Sequence, residues 1–489
     1  MSRDSTFRPT LLLMCGRMAA FAGTFFIPVV LARVFDPAEF GTYKQLQLVF
    51  MTLYLMVPMG MAESLFYFVP RSRERAGTYA ANSMLFLAVA GLAVLLLMRA
   101  GAGRMAGLLN NQDLVSYTGL VGAFLLLSLI SAPLEMVMIS RSRYGWAAGV
   151  YAGSDLLRAA ILVAAALVWR RVDAVFIGAV AFAALRLCAT LAWMLHEFRG
   201  GLRPDLAALR EQLAYAIPFG VAALLEILQS NFHQFAVSHH FDAAAFAVYT
   251  VGVLQIPLVD FVAGPACNVM MVRMGEAAAR QDVANVRALW YETTRRLAGV
   301  FLPLVGLLLV VARDLIVFLF TARYAASAPV FRAWCLTIVL AVLQTDGVLR
   351  AFAQTRLLVQ LSAFRLLLVV VLIGPFLSHF GLVGAALATV LTSAAAKLGG
   401  LARMQRLMGV GLRGLLPWRG LAGTLAAASA AAFVAFAVRA RLPETAPAIL
   451  LVATGAAYAA TYLVLGCALL WRGGFSVAGF GWARRPEEA

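Results

Sequence analysis

Apolar residues run through this chain in blocks of roughly 20 to 28, the length an α-helix needs to cross a hydrocarbon core about 30 Å thick. The blocks fall near residues 10–33, 42–69, 77–98, 114–140, 144–169, 173–198 and 210–236, and again near 244–272, 289–312, 327–352, 357–379, 381–407, 415–438 and 447–471. None has the short alternating pattern of a membrane β-barrel strand. The pattern predicts an all-α polytopic membrane protein with about fourteen transmembrane helices. The first block has no small-residue cleavage site and is followed by further blocks, so it reads as a retained helix.

Composition agrees. The chain is 63% hydrophobic and only 13% charged, with a mean hydropathy of +0.87, whereas a soluble domain is about half apolar and a quarter charged. The net charge of +17 has a topological reading. RSRER (71–75), SRSR (140–143) and the basic stretches from Arg199 to Arg210, Arg273 to Arg296 and Arg403 to Arg419 all fall in alternate loops. Lys and Arg concentrate in this way on the cytoplasmic side, which predicts both termini in the cytoplasm. Nucleic acid is not needed to explain the charge, since no folded basic domain is left to bind it. Cys15, Cys188, Cys267, Cys335 and Cys467 are scattered through the blocks without metal or redox spacing and read as core packing.

One phrase recurs: FDPAEFGTY at 35–43 and FDAAAFAVY at 241–249. Each lies in the short loop between an outward-running block and the next inward-running one. Asp36, followed by Pro37 and by Glu39 three residues on, has the form of a capping box with Pro at the first helical position. Asp242 can cap in the same way, although Ala245 stands where the Glu would be. Phe40 and Tyr43, like Phe246 and Tyr249, suit an interfacial aromatic belt. Two halves in the same orientation imply parallel repeats about an axis along the membrane normal. The expected division is 1–205, 206–410, and 411–489 for two further helices and a cytoplasmic tail.

RVFDPAEFGTY after a first span, and LAYAIPFGVAALLEILQSNFHQF leading through FDAAAFAVY into a span that ends CNVMMVRMGEA, resemble the polysaccharide-transporter branch of the multidrug, oligosaccharidyl-lipid and polysaccharide (MOP) flippase superfamily. Wzx-type O-antigen and exopolysaccharide flippases belong to it. The resemblance implies two six-helix bundles related by a pseudo-two-fold axis, plus two C-terminal helices. It implies a flippase, not an enzyme, that needs no cofactor and sits in the bacterial inner membrane. Its cargo would be undecaprenyl-diphosphate-linked oligosaccharide, moved to the periplasmic leaflet by alternating access for lipopolysaccharide, capsule or exopolysaccharide synthesis. Membrane lipids are expected partners; H+ or Na+ as coupling ion, and other polysaccharide-assembly membrane proteins, stay open.

Charges within spans are costly in hydrocarbon and must face a cavity, a partner or water. Arg17, Arg158, Arg186, Arg365 and Lys397 are the candidates for holding a diphosphate, which the forked guanidinium suits. Arg17, Arg186, Arg365 and Lys397 have no acidic neighbour in sequence and read as cavity lining. Asp155 and Arg158, three residues apart, can equally neutralise one another. Lys44 and Glu135 lie near the ends of their blocks and read as interface anchors. Glu226, Gln229 and His233 share one helical face, which fits sugar hydroxyls, a coupling cation or a polar seam between helices. Asp260 and Asp346 join Glu226 as candidate coupling carboxylates. The spacing of His233, His239 and His240 does not describe a metal site.

No Walker sequence occurs, and the longest outer loops, 99–113 and 313–326, lack the paired carboxylates or nucleophile that a glycan polymerase or ligase would place there. Two transporter readings remain beside the first. A cation-coupled drug or metabolite antiporter would have fewer cavity cations and one decisive carboxylate, and a lipid-linked peptidoglycan-precursor flippase would also use a cationic cavity. EAAARQDVANVRALW (276–290) reads as an amphipathic surface helix. Pro28, Pro58, Pro218 and Pro257 are expected to bend the first, second, seventh and eighth spans.

Overall fold

The computed structural model describes residues 18, 21, 23–442 and 446–471; every regular element among them is helical. The chain forms two compact units, Met1–Thr250 and Val251–Ala489.

The first unit contains α1 (Gly23–Val34), α2 (Pro37–Met56), α3 (Leu65–Arg71), α4 (Ala76–Ala100), α5 (Ala102–Leu108), α6 (Leu114–Ser131), α7 (Pro133–Ser140), α8 (Tyr144–Trp169), α9 (Val172–Phe198) and α10 (Leu206–His240); α11 (Ala243–Gly252) begins there. Helix α6 packs between α4 and α9, α8 packs on α9, and α2 lies against α6 and α10. The second unit contains α12 (Pro257–Ala279), α13 (Val283–Phe320), α14 (Ala328–Leu340), α15 (Thr345–Ala351), α16 (Thr355–Met408), α17 (Trp418–Ala440) and α18 (Pro447–Trp471). Here α13 is central, touching α12, α14, α17 and α18. Asp314 on α13 and Arg439 on α17 fasten the C-terminal pair through two hydrogen bonds of 2.5 and 3.1 Å.

Side chains are sorted as a hydrocarbon solvent requires. Leu97, Val168, Phe433 and Val464 point outward, whereas Gln45, Asn82 and Gln212 are completely buried. Apolar groups gain nothing by leaving lipid, and polar ones must find partners inside the bundle. Gln212 reaches the hydroxyls of Ser64 and Ser83 and the carbonyl of Tyr79, each at 3.3 Å.

Among the described residues ten helices are long and apolar enough to cross a membrane, or eleven if α11 and α12 form one broken span, so fourteen is not reached on that criterion. The difference falls at three places. The first block is described only from Gly23, as the short α1. The second is interrupted between Met56 and Leu65, around Pro58. The blocks expected at 357–379 and 381–407 run together as the 54-residue α16, whose only non-helical residue is Gly381 (φ 56°, ψ −140°). That conformation is closed to residues with a Cβ and marks the boundary between the two blocks.

Both recurring phrases start helices as expected. The Asp36 carboxylate accepts from the Glu39 N–H at 2.8 Å, and the Glu39 carboxylate accepts from the Asp36 N–H at 3.1 Å. Asp242 accepts from the Ala245 N–H at 2.8 Å. The aromatic residues depart from expectation: Phe40, Phe246 and Tyr249 are fully buried and Tyr43 nearly so. Each pair is three residues apart and shares a helix face, and that face turns into the bundle rather than to the interface. The phrases also touch each other. A Cβ on Gly41 would lie 1.7 Å from the carbonyl oxygen of Ala243, so α2 and the start of α11 meet backbone to backbone.

The expected amphipathic helix is split. α12 runs to Ala279, and Asp282 caps a new helix by accepting from the Asn285 N–H at 3.0 Å. Val283 to Trp290 form the first turns of α13, and Trp290 is buried, donating from Nε1 to the Leu415 carbonyl at 2.9 Å. Pro133 and Pro257 begin helices, while Pro218, Pro303 and Pro375 lie inside them. Cys335 is buried and Cys267 half-buried, but Cys188 is exposed on α9, so core packing does not describe it. Cys15 and the side chain of Cys467 lie outside the described residues.

Candidate functional site

The first unit gathers its charges on α7, α8 and α9. Helix α6 stops at Ser131 and Pro133 starts α7, with Glu135 buried in its first turn. Its carboxylate, only 4% exposed, accepts from Arg186 Nη2 on α9 at 2.6 Å. Arg186 Nη1 donates to the Ser154 hydroxyl on α8 at 3.1 Å. One turn along α8, Arg158 Nη2 meets Asp155 at 2.9 Å and the Thr24 hydroxyl on α1 at 3.2 Å. Tyr54 on α2 lies within electrostatic reach of all four charges.

Arg158 and Asp155 therefore do neutralise each other. Arg186, which has no acidic neighbour in sequence, finds one on another helix, and Glu135 is an interior counter-ion rather than an interface anchor. Removing one member of such a pair leaves an uncompensated buried charge, at a cost of about 3–5 kcal/mol. Neither guanidinium is saturated: the Nε of Arg158 and the Nε of Arg186 are buried without hydrogen-bond partners. Each side chain thus keeps one N–H without an acceptor.

On α10 the expected shared face divides. Gln229 and His233 are buried and Glu226 is exposed. His233 Nδ1 lies 2.7 Å from the Tyr249 hydroxyl, which ties α10 to the second recurring phrase. Asn231 donates to Thr52 on α2 at 3.1 Å. His239 and His240 are held by the backbone carbonyls of Leu108 and Ala236. Nearby, Gln45 donates to the Leu109 carbonyl and the Ser238 hydroxyl, both at 2.8 Å, and Asn111 donates to Gln45 and Thr42 at 2.7 and 2.9 Å. These bonds bind α2, α10 and the segment after α5 into one polar seam.

In the second unit two candidates meet. Lys397 on α16 lies 3.3 Å from Asp346 on α15, whose carboxylate also accepts from the Thr345 hydroxyl at 3.0 Å. Arg365 is half-buried on α16. Asp260 belongs to α12, but its side chain, like Arg17 as a whole, lies outside the described residues. Sequence reasoning missed Ser154, Thr24 and the roles of Glu135 and Tyr249. The partners of Arg186 are 32 and 51 residues away, a distance at which spacing carries no signal.

A family model described as polysaccharide biosynthesis protein matches residues 30–329. No curated protein sequence gives a match. The fold is similar to a structure of the lipid II flippase MurJ in an inward closed conformation, with a TM-score of 0.68 at 13% identity over 93% of this chain and 99% of that one. It is also similar to an inward-facing multidrug resistance MATE family transporter of the MOP superfamily, with a TM-score of 0.60 at 13% identity over 82% and 98%. A MOP superfamily transporter from Pyrococcus furiosus, described as having a binding pocket of reverse polarity, gives a TM-score of 0.56 at 14% identity over 82% and 95%. The match over residues 30–329, most of the sequence, makes this chain a member of the polysaccharide biosynthesis protein family.

Proposed function

We propose that this protein moves undecaprenyl-diphosphate-linked oligosaccharide from the cytoplasmic to the periplasmic leaflet of the bacterial inner membrane by alternating access, with both termini in the cytoplasm. Residues 1–205 and 206–410 act as the two repeats, and 411–489 adds the C-terminal pair. The observation that supports this reading best is the state of Arg158 and Arg186. Each is held at one edge by a carboxylate and retains a buried, unpartnered Nε donor. A diphosphate has the charge and the acceptor oxygens to use such donors. Arg17, Arg365 and Lys397 complete the proposed cationic set. Asp346, Asp260 and Glu226, with Gln229 and His233, are the proposed polar and coupling groups.

The test measures the amount and leaflet of undecaprenyl-diphosphate-linked oligosaccharide in cells lacking the protein and in cells carrying Arg17→Ala, Arg186→Ala or Arg365→Ala. Accumulation in the inner leaflet that wild type relieves and the variants do not is the expected result. Unchanged lipid-linked oligosaccharide on loss of the protein would overturn the reading.

A further inference from the structure

Where α2, α6 and α9 begin, at one end of the first unit, an open cavity of about 720 Å³ lies between them. That volume is within the roughly 300–1,000 Å³ of small-molecule sites and far more than a water-sized ion fills. Asp113, Ser116 and Tyr117, at the start of α6, line it, and among the described residues none of these three side chains has a hydrogen-bond partner. The other lining carboxylates are already fixed. Asp36 and Glu39 hold one another's backbone N–H, and Asp173 receives the Arg171 guanidinium at 2.7 and 3.1 Å. Each keeps acceptor capacity, since an ionised carboxylate takes about four hydrogen bonds. Tyr117 stands within electrostatic reach of Glu39, Asp113, Arg171 and Asp173, so these groups surround one space, and Leu120 and Ile177 supply apolar wall.

Charge at this end of the unit cancels. In the helix ends and connections 33–39, 99–113, 170–173 and 241–243, Arg33, Arg99, Arg104, Arg170 and Arg171 stand against Asp36, Glu39, Asp113, Asp173 and Asp242, five against five. Lys44 lies two turns further along α2 and donates to Gln47. No net field therefore draws an ion of either sign, and no group of three His, Cys, Asp or Glu side chains among the described residues could hold a metal. What the lining offers is spread out: carboxylates that accept, a guanidinium that donates, and hydroxyls of Ser116 and Tyr117 that do both. A sugar ring matches that list, with hydroxyls that donate and accept around its edge and C–H faces that pack on aromatic and aliphatic side chains.

We infer that this cavity is a carbohydrate-binding vestibule, in which Asp113, Ser116 and Tyr117 take hydroxyl-rich, uncharged sugar without its phosphate. The inference rests on the proposed cargo for the identity of the glycan and on the proposed topology for the side of the membrane. On that reading the beginnings of α2, α6 and α9 face the periplasm, and the site receives the sugar end of the cargo where it is released. The two chemistries are then divided: guanidinium groups inside the bundle serve the diphosphate, and a mouth of balanced charge serves the oligosaccharide.

The test uses the purified full-length protein in nanodiscs and, as probe, the water-soluble oligosaccharide freed by mild acid from the lipid-linked pool of the same cells. Saturation-transfer NMR and calorimetric titration should show saturable binding. Asp113→Ala removes an acceptor without removing a cap, since that side chain caps nothing. It should weaken binding about ten- to hundredfold, the loss expected for a hydrogen bond to a charged group, and Tyr117→Phe about two- to tenfold. Arg104→Ala, at the same end of the unit but outside the lining, should bind as wild type does. No saturable binding, wild-type affinity in both lining variants, or displacement of the oligosaccharide by equal spermidine or calcium would each overturn the inference. The cargo reading fails separately. Oligosaccharide bound here, with lipid-linked oligosaccharide unchanged on loss of the protein, would overturn the cargo and leave the site; inner-leaflet accumulation without glycan binding would do the reverse.

Discussion

Changing Gly41 to Ala adds one methyl group at the place where the two recurring phrases meet. The new Cβ would sit 1.7 Å from the Ala243 carbonyl oxygen and 2.4 Å from its carbon, both backbone atoms that no rotamer change can move aside. Contacts under 3.0 Å are essentially never made by a real Cβ, so α2 and the start of α11 must separate by at least the 1.3 Å between 1.7 and 3.0. Overpacking of this kind costs about 1–3 kcal/mol. At about 2–4 °C per kcal/mol for a unit of this size, the midpoint should fall by about 2 to 12 degrees. The assay is thermal unfolding of the purified protein in nanodiscs, with Ala247→Gly, the corresponding position of the second phrase, as the control. A Gly41→Ala midpoint within a degree of wild type would refute the close approach and the reasoning built on it.

Three further outcomes are expected. Glu135→Ala and Arg186→Ala should each lower stability by about 3–5 kcal/mol, while the double substitution should cost clearly less than their sum; additivity in a double-mutant cycle would show that the pair does not form. Gly381→Ala meets no atom within 4 Å of its new Cβ but must adopt φ 56° with ψ −140°. Backbone strain alone should cost about 1–3 kcal/mol, and an unchanged unfolding midpoint would contradict the break seen there. Asp314→Ala should free Arg439 and loosen α17 and α18 from α13, read as faster amide hydrogen exchange in those two helices, and unchanged protection would mean that apolar packing holds them without the ion pair.

The helices were legible in the sequence because hydrocarbon imposes one rule on every residue of a span. Their caps were legible too, since Asp36 with Glu39, and Asp242, act within three residues of themselves. What the sequence hid is what the third dimension decides. Tyr43 and Tyr249 look like belt residues because both stand beside a helix start, yet their rotation about the helix axis turns them inward. Arg186 looks unpaired because its counter-ion comes from α7, and Glu135 looks interfacial because its place near the end of a block does not tell which way it faces, and it faces Arg186. Span counting suffered for a related reason: Gly381 breaks α16 without ending it, and the second block loses helical geometry around Pro58 although its hydropathy does not drop.

The pairing of Arg186 with Glu135 bears directly on how a cargo could be released. A cation with no counter-ion would hold a diphosphate too well to let it go, whereas a carboxylate 2.6 Å away competes for the same guanidinium. If phosphate replaces Glu135 at Arg186 on binding, then Glu135 must return for release. Glu135→Gln keeps the volume and a carbonyl acceptor but removes the competing charge. It should therefore raise the amount of lipid-linked oligosaccharide that co-purifies with the protein and lower transfer to the outer leaflet, while Glu135→Asp should keep both near wild type. Gln in place of Glu135 with normal transfer would show that charge competition plays no part in release. Loss of bound lipid together with a normal unfolding midpoint would show that Arg186 needs its carboxylate to be held in place for the cargo, the opposite of the exchange argued here.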